Sequence, residues 1–127
     1  PTDFNRLSRF PYMDITKADD TISNNTFDAI ICSHVLEHIK EDAAAVKNIF
    51  QKLNLYGLAL FIVPMSDKDE TAEYDKPDNS GHYRMYGKAD FIKLLTNSEF
   101  SEVVPIQVTG HNISNEILFI AKKFKKS

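Results

Sequence analysis

The chain has 127 residues, 43% of them hydrophobic and 26% charged, the balance of one ordinary globular domain with room for a real core. Its formal net charge of -3 and a pI of about 5.8 exclude an overall basic field for a phosphate backbone, and the one dense basic run, Lys122 to Lys126 in "KKFKK", reads as a solvated end. The longest apolar run, Leu58 to Pro64, is far too short to span a bilayer, and no signal-peptide pattern opens the chain. A single cysteine, Cys32, excludes a disulfide framework and a CxxC metal pair, so a cytoplasmic protein is expected, with no nucleic-acid and no membrane partner.

Thr26 to Ser33, "TFDAIICS", is a nearly continuous apolar run bounded by "SNN", the pattern of a strand buried on both faces. The spacing then becomes helical, with Leu36, Ile39, Ala43, Val46, Ile49, Phe50 and Leu53 on one stripe. This helix is expected to stop near "NLYG", where Gly57 can supply a left-handed cap. "LALFIVP", Leu58 to Pro64, reads as a second buried strand, and two such strands joined by a helix form a βαβ unit with parallel pairing. Ser66 to Gly81, rich in charge and turn formers, reads as a polar loop inserted over a site. A helix at Lys88 to Asn97 follows, then "EVVPIQV" and "EILFIAKKF" as closing antiparallel strands around Gly110 and Asn112. The expected architecture is α/β with a mostly parallel sheet, in a single domain covering 1–127.

"HVLEH", His34 to His38, spells the H-x-x-E-H zinc signature. His34 follows the strand directly and belongs to the turn, whereas zinc needs both imidazoles on one rigid helical face. The third ligands on offer, Glu70 and Glu73, come from a loop. No metal is therefore assigned, a zinc hydrolase ranks third among the readings, and His38 taken singly reads as a helix histidine satisfied by a neighbour.

"FPYMDIT", "NNTFDAIICSHVLEHI", "LNLYGLALFIVP" and "GHYRMYGKADFIKLLTNSEF", taken together, resemble a class I S-adenosylmethionine-dependent methyltransferase of the type-11-like group. The matching residues are Asp14, Phe27 with Asp28, His34 to Ile39, Leu55 to Gly57, and His82, Arg84, Tyr86 and Gly87. The resemblance implies a Rossmann-like sheet with helices on both faces. The family's glycine-rich turn, which lets backbone approach the cofactor, has no counterpart here, because Gly57, Gly81, Gly87 and Gly110 are scattered and downstream. The amino-terminal strands and helix of the fold are accordingly expected to be missing, leaving a partial methyltransferase domain.

The resemblance implies a cofactor at the carboxyl ends of the strands. Asp3, eleven positions before Asp14, would bind the ribose, against a reading as a solvated terminal charge. Asp14 would accept from the adenine amino group with the Ile15 backbone N–H on a ring nitrogen, or else cap the following turn. Cys32, Ser33 and His34 would lie beside the sulfonium. His34 is the candidate base, against a reading as a turn residue that shapes the pocket wall. Asp28 is expected to pack structurally at the opposite sheet end. His82, Arg84 and Tyr86 alternate, so on an extended segment they share a face suited, with His38, to a polar or anionic small-molecule acceptor; the competing reading pairs them with the acidic loop.

The function implied is methyl transfer to a small polar acceptor, incomplete in this chain. The alternative is a non-catalytic remnant or interaction module. Without the family's first strand, Ala29 to Cys32 would carry an unpaired apolar edge, so self-association, as a homodimer, is expected.

Overall fold

The structure, a computed structural model, describes residues 23–110 and 113–124. Strand β1 (Phe27–Ser33) leads through a single 3₁₀ turn (Leu36–His38) into helix α1 (Asp42–Lys52) and strand β2 (Leu53–Ile62). Two-residue strands β3 (Ala72–Glu73) and β4 (Arg84–Met85) form a separate ribbon, followed by α2 (Lys88–Asn97), β5 (Glu102–Gly110) and β6 (Ile113–Lys122).

The main sheet runs β1-β2-β6-β5. β1 and β2 are parallel, with Cys32 opposite Phe61 and Ser33 opposite Ile62, which is the expected βαβ unit. The other two pairings, β2 with β6 and β6 with β5, are antiparallel, so among the described residues the α/β sheet is not the mostly parallel one expected. For β5 and β6 the reason is the chain length between them, since the two residues separating the paired Gly110 and Ile113 allow only antiparallel pairing. Pro105 is tolerated because β5 lies at the sheet edge.

Period-two alternation sends Cys32, Ala59, Phe61, Val63, Phe119 and Ala121 to one face, where they meet Val46, Ile49 and Phe50 of α1 and Phe91 and Leu95 of α2. Aromatic edges tie these layers, with Phe61 6.0 Å from Phe91 and 6.1 Å from Phe100, and Phe50 5.1 Å from Phe100. Burying each such ring contributes about 1.5–3 kcal/mol. Both described α-helices thus cover the same face, where helices on both faces were expected. The opposite face carries Ile31, Leu60, Ile120 and Val104 in one cross-strand row, with Ile31 72% exposed.

The long helix expected from Leu36 to Leu53 is broken between Ile39 and Glu41. Arg84 is the physical reason: its guanidinium donates to the carbonyls of Leu36, Ile39 and Lys40, which a continuing helix would offer to its own N–H groups. Ala43, placed on the apolar stripe by spacing, faces solvent. At its far end α1 passes straight into β2, and Lys123 substitutes for a glycine cap by donating to the Phe50 and Leu53 carbonyls at 2.8 and 2.7 Å. Gly57 lies inside β2. A side chain there would meet the Asn54 carbonyl at 2.8 Å and that of Asp28 at 3.1 Å, so close backbone approach requires the glycine. The left-handed residue is its neighbour Tyr56, at φ 67°.

Candidate functional site

At the carboxyl end of β1 the His34 N–H donates to the Ile62 carbonyl at 2.7 Å, then the chain leaves the sheet through a left-handed His34, φ 57°. That reversal drops Leu36 into the core and carries Glu37 in behind it, 1% exposed. Three histidines surround this acid. His34 has Nδ1 3.7 Å from Glu37 Oε2 and Nε2 3.1 Å from Glu116 Oε2. His38 has Nε2 3.7 Å from the same Glu37 oxygen and Nδ1 3.1 Å from the Gly81 carbonyl. The His82 ring stands edge-on to His38 with centroids 4.7 Å apart. Glu37 Oε1 is buried without a hydrogen-bond partner among the described residues, and a buried oxygen left so costs about 1–3 kcal/mol, more for a charged group.

The polar loop makes this meeting possible. The Tyr83 N–H donates to the Glu37 carbonyl at 2.8 Å, which fixes the adjacent His82 beside the 3₁₀ turn. Asp78 shapes the approach, accepting from the backbone of Ser80 and His82 at 2.9 Å each. Those bonds, the one from His82 first, hold the Asp78 carboxyl below its ordinary range. Gly81, at φ +81°, completes the turn in a conformation that L side chains rarely adopt.

Arg84 and Tyr86 are engaged elsewhere. Arg84 is buried, donating Nε to Glu73 at 3.0 and 3.1 Å as well as to the three backbone carbonyls, with Asp42 3.6 Å away. Burial opposes its charge, but Tyr86, Asp42 and Glu73 together outweigh it and raise the guanidinium's already high pKa. Tyr86 is a core ring 4.8 Å from Phe91 whose hydroxyl donates to Asp42 at 2.7 Å; burial pushes its phenol well above the ordinary value. Alternation along 82–86 therefore does not gather one acceptor-binding face. His82 joins the histidine cluster, while Arg84 and Tyr86 lock the fold, with the guanidinium turned to Glu73 and the three backbone carbonyls. The pairing with Glu73 of the acidic loop is the competing reading of Arg84 made from the sequence.

Ser33 is exposed at the strand end and His34 is 47% exposed, so both can face a ligand. Cys32 points into the core, and burial, with Glu37 second, pushes its thiol up to about 12. It is neutral at physiological pH. Asp28 accepts from Asn54 at 2.7 Å at the far end of the sheet, in keeping with a structural part. Asp3, Asp14 and Ile15 lie outside the described residues. A surface groove of about 590 Å³, lined by Lys40, Tyr74, Lys76 and Tyr83 among others, lies on the outer side of Arg84 and includes none of the histidines.

Residues 3–104 match the family model described as a methyltransferase domain. The chain belongs to the methyltransferase domain family. The sequence resemblance implies the class I, S-adenosylmethionine-dependent type within that family. No curated protein matches the chain. Among solved structures, 1,6-didemethyltoxoflavin-N1-methyltransferase of Burkholderia thailandensis, with bound 1,6-didemethyltoxoflavin and S-adenosylhomocysteine, is similar at TM-score 0.74 and 19% identity, over 98% of this chain and 58% of that one. The CurJ carbon methyltransferase gives 0.71 and 13% over 98% and 38%. The [4+2]-cyclase SpnF gives 0.65 and 14% over 96% and 60%. This methyltransferase domain thus spans less than two thirds of the length of each, and at these identities the likeness is one of fold. Toward S-adenosylmethionine the described residues fit on one side: Ser33 and His34 present polar groups at the strand end, and Cys32 can contribute only backbone.

Glu37 and Glu116 were missed as site residues by the sequence reading. Glu37 stood inside the quoted "HVLEH" and its burial follows from its place one residue after the core Leu36. Glu116, in β6, had no local signal.

Proposed function

We propose that the chain contributes to methyl transfer from S-adenosylmethionine to a small polar acceptor, with Ser33 and His34 on the cofactor side and His34, His38 and His82 on the acceptor side. The observation that carries this reading is His34 at the strand end, held between two carboxylates, Glu37 and Glu116. Bound S-adenosylmethionine would supply an electrophilic methyl group. The chain's own residues would orient the acceptor for in-line displacement, and His34 would take the acceptor's proton at Nδ1 while its Nε2–H, donated to Glu116, holds the ring. A small acceptor is supported by the small molecule bound in the Burkholderia thailandensis relative. The cyclase SpnF favours keeping the second reading, a chain of this fold without methyl transfer, since fold alone does not set the reaction.

Two further parts of the reading rest on the chain itself. The outer edge of β1 is unpaired among the described residues and the sheet face beside it carries the exposed Ile31, which suits self-association through Ala29 to Cys32. A lone neutral thiol suits a reducing, cytoplasmic setting.

Calorimetric titration of the chain with S-adenosylhomocysteine tests the central claim. Micromolar binding, weakened at least about tenfold by Asp14→Ala, is expected. An affinity no better than millimolar would remove the cofactor site from this chain and leave the non-catalytic reading. Light scattering is expected to give a dimer that Ile31→Lys converts to monomer without loss of helix content; a monomeric parent would sink the edge-pairing idea.

A further inference from the structure

We propose that Glu37, His38 and His82 form a binding site for a divalent transition-metal ion of the zinc class. One ligand atom from each residue lies within 4.8 Å of the other two, and Glu37 Oε2 is already 3.7 Å from His38 Nε2. Donors on a four-coordinate zinc ion at about 2.0–2.2 Å stand roughly 3.4 Å apart, so modest side-chain adjustment closes the set around an ion. His38 and His82 are at least partly exposed and can make that adjustment, while Glu37 is fixed by its burial.

The independent observation is the carboxylate itself. Glu37 is buried to 1% exposure, and its Oε1 has no hydrogen-bond partner among the described residues. A buried carboxylate is normally satisfied, and an ion held at Oε2, the oxygen that faces His38 Nε2, would supply this one with a counter-charge.

A neighbouring carbonyl also orients one imidazole as a metal ligand requires. His38 Nδ1–H can donate to the Gly81 carbonyl at 3.1 Å, which leaves the Nε2 lone pair facing Glu37. His82 Nδ1 lies 3.9 Å from Asp78 Oδ2, too far for a hydrogen bond, so the ring is free to turn a nitrogen to an ion. Two imidazoles and one carboxylate favour zinc-like ions over magnesium or calcium, which prefer oxygen donors. Three protein donors leave a fourth position for water or an acceptor oxygen.

This set is not the H-x-x-E-H arrangement. His34 is turned off the helical face by its left-handed backbone and engages Glu116 through Nε2, and His82, 45 residues beyond Glu37 in the sequence, takes its place. The site shares His38 and His82 with the acceptor side proposed above, but the metal alone probes it, so its failure and that of the methyl-transfer reading are distinguishable.

The test is calorimetric titration of the untagged chain with Zn²⁺, with Co²⁺ absorption as the report on geometry. Expected are one ion per chain, micromolar or tighter affinity, visible Co²⁺ bands of a four-coordinate site, and a loss of at least about tenfold in Glu37→Gln and in His82→Ala. Circular dichroism checks each variant's fold; should Glu37→Gln unfold, the partly exposed His82 carries the test. Absence of saturable zinc binding below millimolar concentration overturns the proposal, as does unchanged affinity in a His38→Ala/His82→Ala double variant. Affinity lost on His34→Ala but kept in His82→Ala would overturn it in favour of H-x-x-E-H. Binding of Mg²⁺ in preference to Zn²⁺ would overturn the assigned class.

Discussion

The 3₁₀ turn Leu36–His38 is gripped from two sides by polar groups that behave in opposite ways. On one side Arg84 is buried and well bonded, with donors placed on Leu36, Ile39, Lys40 and Glu73. On the other, Glu37 is equally buried, yet among the described residues one oxygen has no partner and the other is flanked by half-exposed histidines. Satisfied burial is the mark of a structural lock, since every donor repays its desolvation within the fold. Unsatisfied burial beside accessible imidazoles is what a binding site leaves open for its ligand. Two groups of similar burial, a few residues apart in space, thus divide stability from function.

The comparison can be broken most directly at Arg84. Arg84→Met removes the donors from three carbonyls and leaves Glu73 and Asp42 without their cation, so a loss of about 3–5 kcal/mol in urea denaturation is expected. A loss below 1 kcal/mol would show that the lock is not structural. Gly81→Ala places an L side chain at φ +81° and brings its Cβ to 3.4 Å from His38 Nδ1. It should destabilise by about 1–2 kcal/mol and disturb the His38 ring resonances in NMR; unperturbed rings would separate the turn from the histidine cluster. Tyr86→Phe deletes one hydrogen bond to Asp42 and keeps the ring packing, for about 1 kcal/mol at unchanged zinc affinity.

Glu37→Gln carries the smallest effect on stability and sharpens the contrast. Replacing an under-satisfied carboxylate by a neutral isostere should leave stability equal or higher by up to about 1 kcal/mol in the same denaturation experiment. A drop as large as that of Arg84→Met would place Glu37 with the structural lock and erase the distinction drawn between the two sides.

Much of the fold was legible because its elements announce themselves locally. The apolar run Thr26–Ser33, the stripe through Val46, Ile49 and Phe50, and the run Leu58–Ile62 gave the parallel βαβ unit, and the segments around Gly110 gave the antiparallel close. The helix break at Ile39 was not legible. Its cause, Arg84, is 45 residues away, and side-chain periodicity carries no information about which carbonyls a distant guanidinium will occupy. The Gly57 expectation failed for a related reason: cap chemistry and close strand approach both select glycine, and only the neighbouring Asp28 carbonyl tells them apart.

The candidate site divides in the same way. His34, His38 and His82 were singled out as residues with suitable chemistry, and His34 was correctly placed in the turn after the strand. The sequence by itself determined the α/β class, the family, and the position of "HVLEH" at a strand end, because these follow from short-range pattern and residue type. Only the tertiary structure decided that His82 meets Glu37 while Arg84 and Tyr86 turn into the fold. That choice depends on the path of the loop through Asp78 and Gly81 and on the Tyr83 to Glu37 backbone bond, which are long-range contacts that no local pattern encodes.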